Sequence, residues 1–212
     1  MNIAFIGYDG KMGKQILKYL KENTNFNNFI LINKDSTNPF EHILKSSLVI
    51  DFSNKDFLYP LALFCAQNKI PLISGTTGLS KEKLNIINSS LLENKTSAYI
   101  CPNFSKGISI IKKVLPYLNV FNKITIEETH HVSKLDSPSG TALQLKSKVD
   151  KNVVITSKRK HHYKAIHKIS SFDDYEELII IHKVQNKYAY GELVIKAINT
   201  INDFIGLKEE IL

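Results

Sequence analysis

Five short apolar, β-prone segments alternate with helical segments in the first hundred residues, and this alternation limits the fold more than any other feature. The β-prone segments are residues 2–6, 29–32, 47–52, 70–74 and 97–101. Helical spacing of apolar side chains fills the intervals, most clearly at residues 56–68 and 81–94. Strands and helices alternating in this way predict βαβ units on a parallel sheet.

The pattern changes after residue 104. Helices are predicted over residues 106–118 and 141–149, on either side of a predicted strand at 123–129. Three further β-prone segments then follow without helices between them, at residues 153–156, 165–170 and 177–184. This order predicts a mixed or antiparallel sheet in a second domain. Helical spacing returns at residues 191–205, where a closing helix would pack back onto the first domain.

Composition narrows the class of function. The formal net charge is +8, but Arg159 is the only arginine among 28 basic residues. Arginine is the side chain that forks onto phosphates and bases, so we expect no nucleic-acid partner. No apolar segment approaches the roughly 20 residues of a membrane span, so we expect no membrane association. Cys65 and Cys101 show no metal-ligand spacing, and a reducing cytoplasm is the expected location.

Gly7, Gly10 and Gly13 follow the first strand directly and open a helix. Glycine permits the tight turn and the close backbone approach that the pyrophosphate of a dinucleotide requires, and the helix N-terminus faces its charge. The first two glycines are one residue further apart than in the common G-x-G-x-x-G turn. A glycine-rich turn without a ligand is therefore the alternative.

Two charged residues follow the second strand. Asp35 lies about 20 residues beyond the glycine turn, where a carboxylate accepts the hydroxyls of the adenine ribose. Lys34 could instead neutralise a 2′-phosphate, so both NADH and NADPH stay open. Both residues could also belong to an ordinary charged turn.

The fourth and fifth strands end in residues 75–78 and 102–104. Ligands of open parallel sheets bind at the carboxyl ends of the strands. The Gly-Thr-Thr turn at 75–77 offers backbone and hydroxyl groups to a nicotinamide ribose, and Asn103 could bond a carboxamide. Each is only a turn when read alone, but together they are predicted to border one crevice.

His130, His131 and Lys134 precede Ser139-Gly140-Thr141, which opens a predicted helix. Imidazole titrates near neutrality, and Lys134 adds a positive charge. Backbone N–H groups at a helix start suit a carboxylate. The combination indicates an enzyme that holds an anionic substrate and protonates it, with a polar loop before a capped helix as the alternative.

Five motifs occur in a fixed order: Gly-x-x-Gly-x-Met-Gly at 7–13, Val-Ile-Asp-Phe-Ser at 49–53, Gly-Thr-Thr-Gly at 75–78, Asn-Phe-Ser at 103–105 and Glu-Thr-His-His-x-x-Lys-x-Asp-x-Pro-Ser-Gly-Thr-Ala at 128–142. In this order they resemble the 4-hydroxy-tetrahydrodipicolinate reductase (dihydrodipicolinate reductase) family of lysine and diaminopimelate biosynthesis. The resemblance covers residues 1 to about 150 of the 212, and its last block is the most specific.

The resemblance implies an α/β, NAD(P)H-dependent oxidoreductase. Its Rossmann-type parallel-sheet domain would span residues 1–103 and be completed by a C-terminal helix at 190–212. A smaller α+β domain with a mixed or antiparallel sheet, residues 104–189, would bind a small cyclic dicarboxylate substrate and assemble a homotetramer. The implied reaction reduces the unsaturated imine derived from 4-hydroxy-tetrahydrodipicolinate to tetrahydrodipicolinate.

The resemblance also implies roles for individual residues. His130 would be the proton donor or acceptor, and Lys134 the second proton donor. His131, Gly140 and Thr141 would contact the substrate, and no metal is implied. The implied cofactor contacts are Gly7, Tyr8, Asp9, Gly10, Lys11, Met12, Lys34, Asp35, Gly75, Thr76, Thr77, Cys101, Pro102, Asn103 and Phe104.

The chain departs from the family pattern after residue 150. The family carries Arg-x-Gly-x-x-x-Gly-x-His, and this chain keeps Arg159 and His167 at that spacing. His161 and Ala165 stand where the glycines belong, and positions that need a positive φ resist side chains. We interpret the basic cluster at residues 158–162 as a solvated surface, in preference to an altered anion-binding loop.

A non-catalytic NAD(P)-binding redox sensor is the alternative function. Such a sensor needs the dinucleotide domain alone. His130, Lys134 and the Ser-Gly-Thr turn argue against it, because a sensor has no use for paired proton donors beside an anion site.

Overall fold

The computed structural model describes residues 1–161 and 164–212, which form two compact units. The first contains Met1–Phe104 and Tyr190–Ile211, and the second contains Ser105–Ala189 together with Leu212. His162, the last member of the basic cluster, lies outside the described residues. None of the helices in the described ranges is both long and apolar enough to cross a membrane.

A six-stranded sheet, parallel throughout, forms the centre of the first unit. Its strands are β1 (Ile3–Ile6), β2 (Phe29–Ile32), β3 (Leu48–Asp51), β4 (Leu72–Ser74), β5 (Ser97–Ile100) and, near the C-terminus, β10 (Gly206–Lys208). Their order across the sheet is β10-β5-β4-β3-β1-β2. Every residue of the central strands β1, β3 and β4 is buried, which explains why these segments are almost continuously apolar.

Helices connect the parallel strands, as the alternating pattern predicts. They are α1 (Lys11–Asn23), α2 (Pro39–Ile43), α3 (Lys55–Gln67), α4 (Lys81–Glu93) and, after the second unit, α7 (Gly191–Thr200). The side chains of Asn54 and Ser80 cap α3 and α4 by accepting hydrogen bonds from first-turn amides. The Rossmann-type parallel sheet is thereby confirmed.

The expected helix over residues 190–212 is wrong in its second half. The helix ends at Thr200, and a turn follows in which the Asp203 amide donates to the Thr200 carbonyl at 3.1 Å. Gly206 then adopts a φ of +99°, which suits glycine, and begins β10. This sixth strand pairs with β5. The strand has only three residues, too few to show a period in the sequence.

The second unit contains a four-stranded mixed sheet with the order β7-β6-β8-β9. The strands are β6 (Lys123–His131), β7 (Val154–Lys160), β8 (Ile166–Phe172) and β9 (Glu177–Lys183). β6 pairs in parallel with β7 and antiparallel with β8, and β8 pairs antiparallel with β9. The expected mixed or antiparallel sheet is confirmed.

The two faces of this second sheet differ. Two α-helices, α5 (Lys106–Val114) and α6 (Gly140–Lys146), and a 3-10 helix at Leu115–Val120 supply apolar side chains to one face. There they form a core with strand residues such as Ile124, Ile126 and Ile169. The other face carries exposed apolar side chains, with Ile181 and Val154 each 62% exposed and Ile179 41% exposed.

Candidate functional site

The glycine turn of the first unit has a geometry that side chains would block. Gly7 adopts a φ of +70°, and a Cβ there would lie 2.5 Å from the carbonyl oxygen of Phe52. A Cβ on Gly13 would lie 2.0 Å from the Gly7 carbonyl oxygen. The turn therefore needs glycine at both positions. α1 begins directly after Gly10, and its first turn carries no acidic side chain, so its partial positive charge is available to an anion.

A cavity of about 460 Å³ lies beside this turn. Its lining includes Gly7, Asp9, Gly10 and Lys34, together with Phe52 from the loop after β3. Lys34 thus borders the cavity, whereas Asp35 is exposed in the neighbouring turn and is not among the lining residues. The Asp9 carboxylate accepts a hydrogen bond of 3.3 Å from the side-chain amide of Asn33.

A second cavity of about 360 Å³ is lined by residues after β3 and β4 together with Met12. Gly75, Thr76 and Thr77 belong to its lining, as the pattern of strand ends predicts. Phe52, Ser53 and Asn54 line both cavities. These three residues are not among those predicted from the sequence to contact the cofactor. The signal was available, because they follow the third strand as Gly75 follows the fourth.

Phe52 connects the strand-end loops. Its ring lies 5.8 Å from that of Phe104, centroid to centroid, and stacks on Phe5 at 6.1 Å. A Cβ on Gly75 would lie 2.2 Å from the Phe52 ring, so glycine is needed there for close packing. Cys101 extends β5 by donating its amide to the Ser74 carbonyl at 2.9 Å. The residues at 75–77 and 101–104 are therefore held at the carboxyl ends of β4 and β5, beside Phe52.

Asp51 anchors two of these loops from beneath. This fully buried carboxylate accepts hydrogen bonds from the hydroxyls of Ser53 (2.5 Å), Ser74 (2.6 Å) and Thr76 (2.7 Å). The Ser53 amide donates to it as well, at 3.0 Å. Burial raises the pKa of Asp51, and the bonds from the three hydroxyls oppose that rise. Asp51 is a further residue that sequence reasoning missed.

These observations fit a dinucleotide. The glycine turn packs so tightly on neighbouring backbone that a Cβ at Gly7 or Gly13 would collide with it, and two adjoining cavities extend from the turn along the carboxyl ends of the strands. Tyr8, Lys11 and Met12 flank the turn. The residues proposed for the cofactor thus lie together in the first unit, with Asp35 at the margin.

In the second unit, His130 occupies the end of β6 and is half-buried. Its Nδ1 is hydrogen-bonded to the fully buried carboxylate of Glu128, two residues earlier on the same face of the strand. The ring of His167, on β8, packs edge-on against His130 with 5.2 Å between centroids. Burial lowers the pKa of His130, and Glu128 partly opposes this by favouring the imidazolium.

His167 is 3% exposed, and neither of its ring nitrogens has a hydrogen-bond partner among the described residues. Burial, reinforced by the neighbouring His130 and His182, lowers its pKa to about 3. His182 follows on β9, where its Nε2 lies 3.0 Å from the Ser105 hydroxyl. Within the described residues, no group of three or more His, Cys, Asp or Glu side chains is arranged to hold a metal ion.

The interpretation of the basic cluster as a solvated surface is wrong for Arg159. Residues 158–160 belong to β7, not to a loop, and Arg159 is opposite His130 in the register. Its side chain is only 19% exposed and contacts Glu128 at 2.9 Å through Nη1. It also donates to the carbonyls of Lys134 (3.1 Å) and Asp136 (2.5 Å). Strand pairing turned this one residue inward, while Lys158 and Lys160 remain exposed.

Lys134 lies in the turn after β6, where its amide donates to the His131 carbonyl at 3.0 Å. Its ammonium pairs with Asp136 at 2.9 Å. Asp136 in turn accepts the Gly140 amide at 3.3 Å, at the start of α6. Burial would raise the pKa of Asp136, but Lys134 and this amide outweigh it and hold the pKa below its usual range.

His131 and His130 face opposite ways, because alternate strand residues point to opposite faces. His131 is exposed, and its Nδ1 accepts the Ser133 amide at 3.1 Å. Its ring lies 6.4 Å from that of His161. Gly140 is exposed, and among the described residues no atom outside its own turn of helix lies within 4 Å of its Cβ position; Thr141 follows it in the first turn of α6. All the catalytic and substrate candidates therefore lie in the second unit, around the end of β6.

Comparison with known families matches both parts of the chain. The family model described as "Dihydrodipicolinate reductase, N-terminus" matches residues 1–104, and "Dihydrodipicolinate reductase, C-terminus" matches residues 107–210. Together the two matches span nearly the whole chain.

Individual relatives give the same result. A 4-hydroxy-tetrahydrodipicolinate reductase from Thermosipho africanus is 30% identical over 93% of this chain and 89% of its own length. One from Buchnera aphidicola subsp. Cinara cedri is 28% identical over 92% and 89%. Among solved structures, the dipicolinate-bound dihydrodipicolinate reductase from Paenisporosarcina sp. TG-14 is similar in fold, with a TM-score of 0.83 and 20% identity over 100% of this chain and 98% of that one.

Proposed function

This chain belongs to the dihydrodipicolinate reductase family, and we propose from that membership how its residues carry out the reaction. The protein is an oxidoreductase of lysine and diaminopimelate biosynthesis. It reduces 4-hydroxy-tetrahydrodipicolinate, through the unsaturated cyclic imine, to tetrahydrodipicolinate at the expense of NADH or NADPH. A bound nicotinamide supplies the hydride.

The first unit holds the dinucleotide. The amides that open α1 receive the pyrophosphate at the turn formed by Gly7, Gly10 and Gly13, with Tyr8, Asp9, Lys11 and Met12 around it. Lys34, and Asp35 at the margin of the cavity, would contact the adenine ribose. Residues 75–77 and 101–104 hold the nicotinamide half, and the buried Asp51 network supports the loop at 75–77.

The second unit supplies the groups that exchange a proton with the substrate. Hydride addition to a conjugated imine builds negative charge that a nearby cation must stabilise and an acid must quench. The Lys134 ammonium stabilises that charge and is one proton donor, and His130 is the other group that exchanges a proton. The observation that carries this assignment is the setting of His130, half-buried between a carboxylate and a second imidazole and within electrostatic reach of Lys134.

The substrate carboxylates bind at the turn that links β6 to α6. The groups proposed to contact them are His131, Gly140 and Thr141. The Asp136 carboxylate already pairs with the Lys134 ammonium and accepts a hydrogen bond from the Gly140 amide. A substrate carboxylate that binds there takes over these two contacts from Asp136.

The second sheet also carries the surface proposed for assembly of the chain into an oligomer. The face that carries Val154, Ile179 and Ile181 is exposed, and monomers seldom leave an extended apolar sheet face in water. We propose that copies of the chain pair through this face to form the homotetramer. The cytoplasm is the proposed location, which suits two buried cysteines that form no disulfide with each other.

The decisive experiment measures NADH and NADPH oxidation by the purified chain, with the substrate generated in the cuvette. We expect turnover, and we expect His130→Ala and Lys134→Ala each to lower it by ~10²-fold or more, because general acid–base catalysis contributes 10²–10⁴-fold. Neither variant should lose cofactor affinity, since neither residue is in the first unit.

Two results would contradict the proposal. Absence of turnover by a chain that binds NADH would favour the redox-sensor alternative. Near-native rates in both variants would remove the proposed catalytic roles, even in a working reductase.

A further inference from the structure

Glu128 is a carboxylate of the second unit that hydrogen-bonds to His130, Arg159 and the Ser139 amide. It is fully buried, although a buried carboxylate is unfavourable unless it is paired and hydrogen-bonded. One oxygen, Oε2, faces Nδ1 of His130. The other, Oε1, accepts Nη1 of Arg159 at 2.9 Å and the Ser139 amide at 3.3 Å. The two oxygens therefore meet different partners.

The ionised state of Glu128 follows from these partners. Burial alone would raise its pKa, but the Ser157 hydroxyl and the hydrogen bonds from Arg159 and His130 outweigh burial and lower it. An ionised carboxylate can only accept hydrogen bonds. Nδ1 of His130 therefore carries its hydrogen toward Oε2, which leaves Nε2 as the nitrogen free to exchange a proton.

Arg159 connects the same carboxylate to the turn after β6. Its Nε and Nη2 donate to the carbonyls of Lys134 and Asp136, while Nη1 reaches Glu128. A guanidinium can make all three contacts because its donors are fixed in one plane. The position of the turn that carries Lys134 and the orientation of the His130 ring thus depend on one ion pair.

We propose that Glu128 and Arg159 are positioning residues for the reaction. Glu128 fixes the tautomer of His130 so that Nε2 is the nitrogen that exchanges a proton with the substrate. Arg159 holds both Glu128 and the turn that carries Lys134 in position relative to His130. This inference rests on the proposed function, because it assumes that His130 exchanges a proton with the substrate. It adds two residues that do not themselves touch the substrate.

Glu128→Gln gives a specific prediction. The glutamine carbonyl should stay on the side where Arg159 and the Ser139 amide donate, because two donors meet there. Its NH₂ group then faces Nδ1 of His130 and can only donate. The imidazole must become an acceptor at Nδ1 and carry its hydrogen on Nε2, the reverse of the native tautomer.

The chain supplies matched controls. Glu176, in the turn between β8 and β9, and Lys113, on α5, are exposed and lie away from the sheet face proposed for assembly. Glu176→Gln is therefore the control for Glu128→Gln, and Lys113→Gln is the control for Arg159→Gln. Glu128→Asp and Arg159→Lys keep the charges and should restore part of the rate.

The experiment measures kcat, both KM values and the NADH dissociation constant for each variant, together with the His130 tautomer by long-range ¹H–¹⁵N NMR. His130→Ala assigns the His130 signal. We expect Glu128→Gln to lower kcat by on the order of 10²-fold, the effect of a misplaced catalytic group, and to move the hydrogen from Nδ1 to Nε2. The NADH dissociation constant should not change, and both control variants should behave as wild type.

A Glu128→Gln variant with native kcat and a hydrogen still on Nδ1 would overturn the inference. If that variant does not fold, Arg159→Gln decides instead, and a native kcat in it would count equally against the inference. Failure of the proposed function looks different. There His130→Ala would retain activity, while Glu128→Gln would still shift the tautomer and so support the positioning contact.

Discussion

At the scale of single residues, Lys34 is the side chain best placed to separate the two nicotinamide cofactors. It borders the cavity of about 460 Å³ beside the glycine turn, whereas Asp35 next to it is exposed outside the lining. A lysine attracts the 2′-phosphate of NADPH, and an aspartate repels it while accepting the ribose hydroxyls of NADH. Of the two charged residues, only Lys34 is thus part of the lining of the proposed cofactor cavity.

We predict that Lys34→Gln weakens NADPH binding about fivefold, equivalent to the roughly 1 kcal/mol of an exposed charge pair. NADH binding should change little, because it has no phosphate at that position. Fluorescence titration with both cofactors tests this. Lys45→Gln, beyond α2, serves as the control, and equal weakening of both cofactors by Lys34→Gln would contradict the prediction.

His167 should make stability depend on pH. Its pKa is lowered from 6.5 in the unfolded chain to about 3, so the native protein disfavours the imidazolium. The resulting contribution to the free energy of unfolding is fully present above pH 6.5. It is lost as the pH falls from 6.5 toward 3, by about 1.4 kcal/mol per pH unit.

His167→Leu should therefore flatten the pH dependence between about pH 6 and pH 4, because the unfolded imidazole no longer takes up a proton there. Denaturant unfolding at several pH values measures the difference between variant and wild type. Near pH 8 the substitution should be close to neutral, since it replaces an unpartnered polar ring by an apolar group. If the free energy of unfolding of the variant and of the wild type fell in parallel with pH, the proposed role of His167 in the pH dependence would be refuted.

The types of the proposed site residues were readable from sequence, but their partners were not. His130, Lys134 and the three glycines stand out by chemistry and spacing. Glu128 and Asp51 do not, because an acidic residue in a strand gives no sign that it is buried until its hydrogen-bond donors are known. Arg159 was misjudged for the same reason: its four basic neighbours suggested a solvated surface, and only the register of β7 against β6 turns it inward.

At the scale of elements, the ends of β3 and β4 are joined by one carboxylate. Asp51 ends β3 and accepts hydroxyls from Ser74, at the end of β4, and from Thr76 in the following loop. The loops that line the second cavity are thus attached to rigid strands. Such attachment holds ligand-binding groups in place before the ligand arrives.

We predict that Asp51→Asn lowers the free energy of unfolding by roughly 1–3 kcal/mol, because an amide replaces an acceptor of several buried hydrogen bonds. NADH affinity should weaken about fivefold as the loop at 75–77 loosens. Calorimetry and NADH titration measure the two effects. Asp56→Asn, in the exposed first turn of α3, is the matched control. Native NADH affinity in Asp51→Asn would show that the loops hold their positions without it.

The predicted elements match the structure wherever apolar periodicity extends over enough residues. The five strands and the long helices of the first unit were identified for this reason. The predicted strand at 153–156 proved longer, since β7 continues through Lys160 on charged residues that a hydrophobic pattern does not detect. The predicted helix at 106–118 becomes a 3-10 helix from Leu115, where Pro116 removes a helical hydrogen bond.

At the scale of the whole molecule, the exposed face of the second sheet tests the proposed tetramer. Ile181→Lys places a charge in a surface that would be buried between copies, and an unpaired buried charge is strongly unfavourable. We predict dissociation to smaller species, measured by light scattering after size exclusion. Ile86→Lys, on α4 of the first unit and also exposed, should leave the mass unchanged. Identical masses for all three proteins would exclude this face as the interface.

β10 also has a consequence for biosynthesis. The outer edge of β5 is paired by residues 206–208, which leave the ribosome after everything else in the sheet. Until then the nascent first unit presents the unpaired backbone of β5, a template for association with other chains. A stalled or prematurely terminated chain would keep the edge of β5 unpaired. We therefore expect such truncated products to associate with other chains and to be bound by quality-control factors.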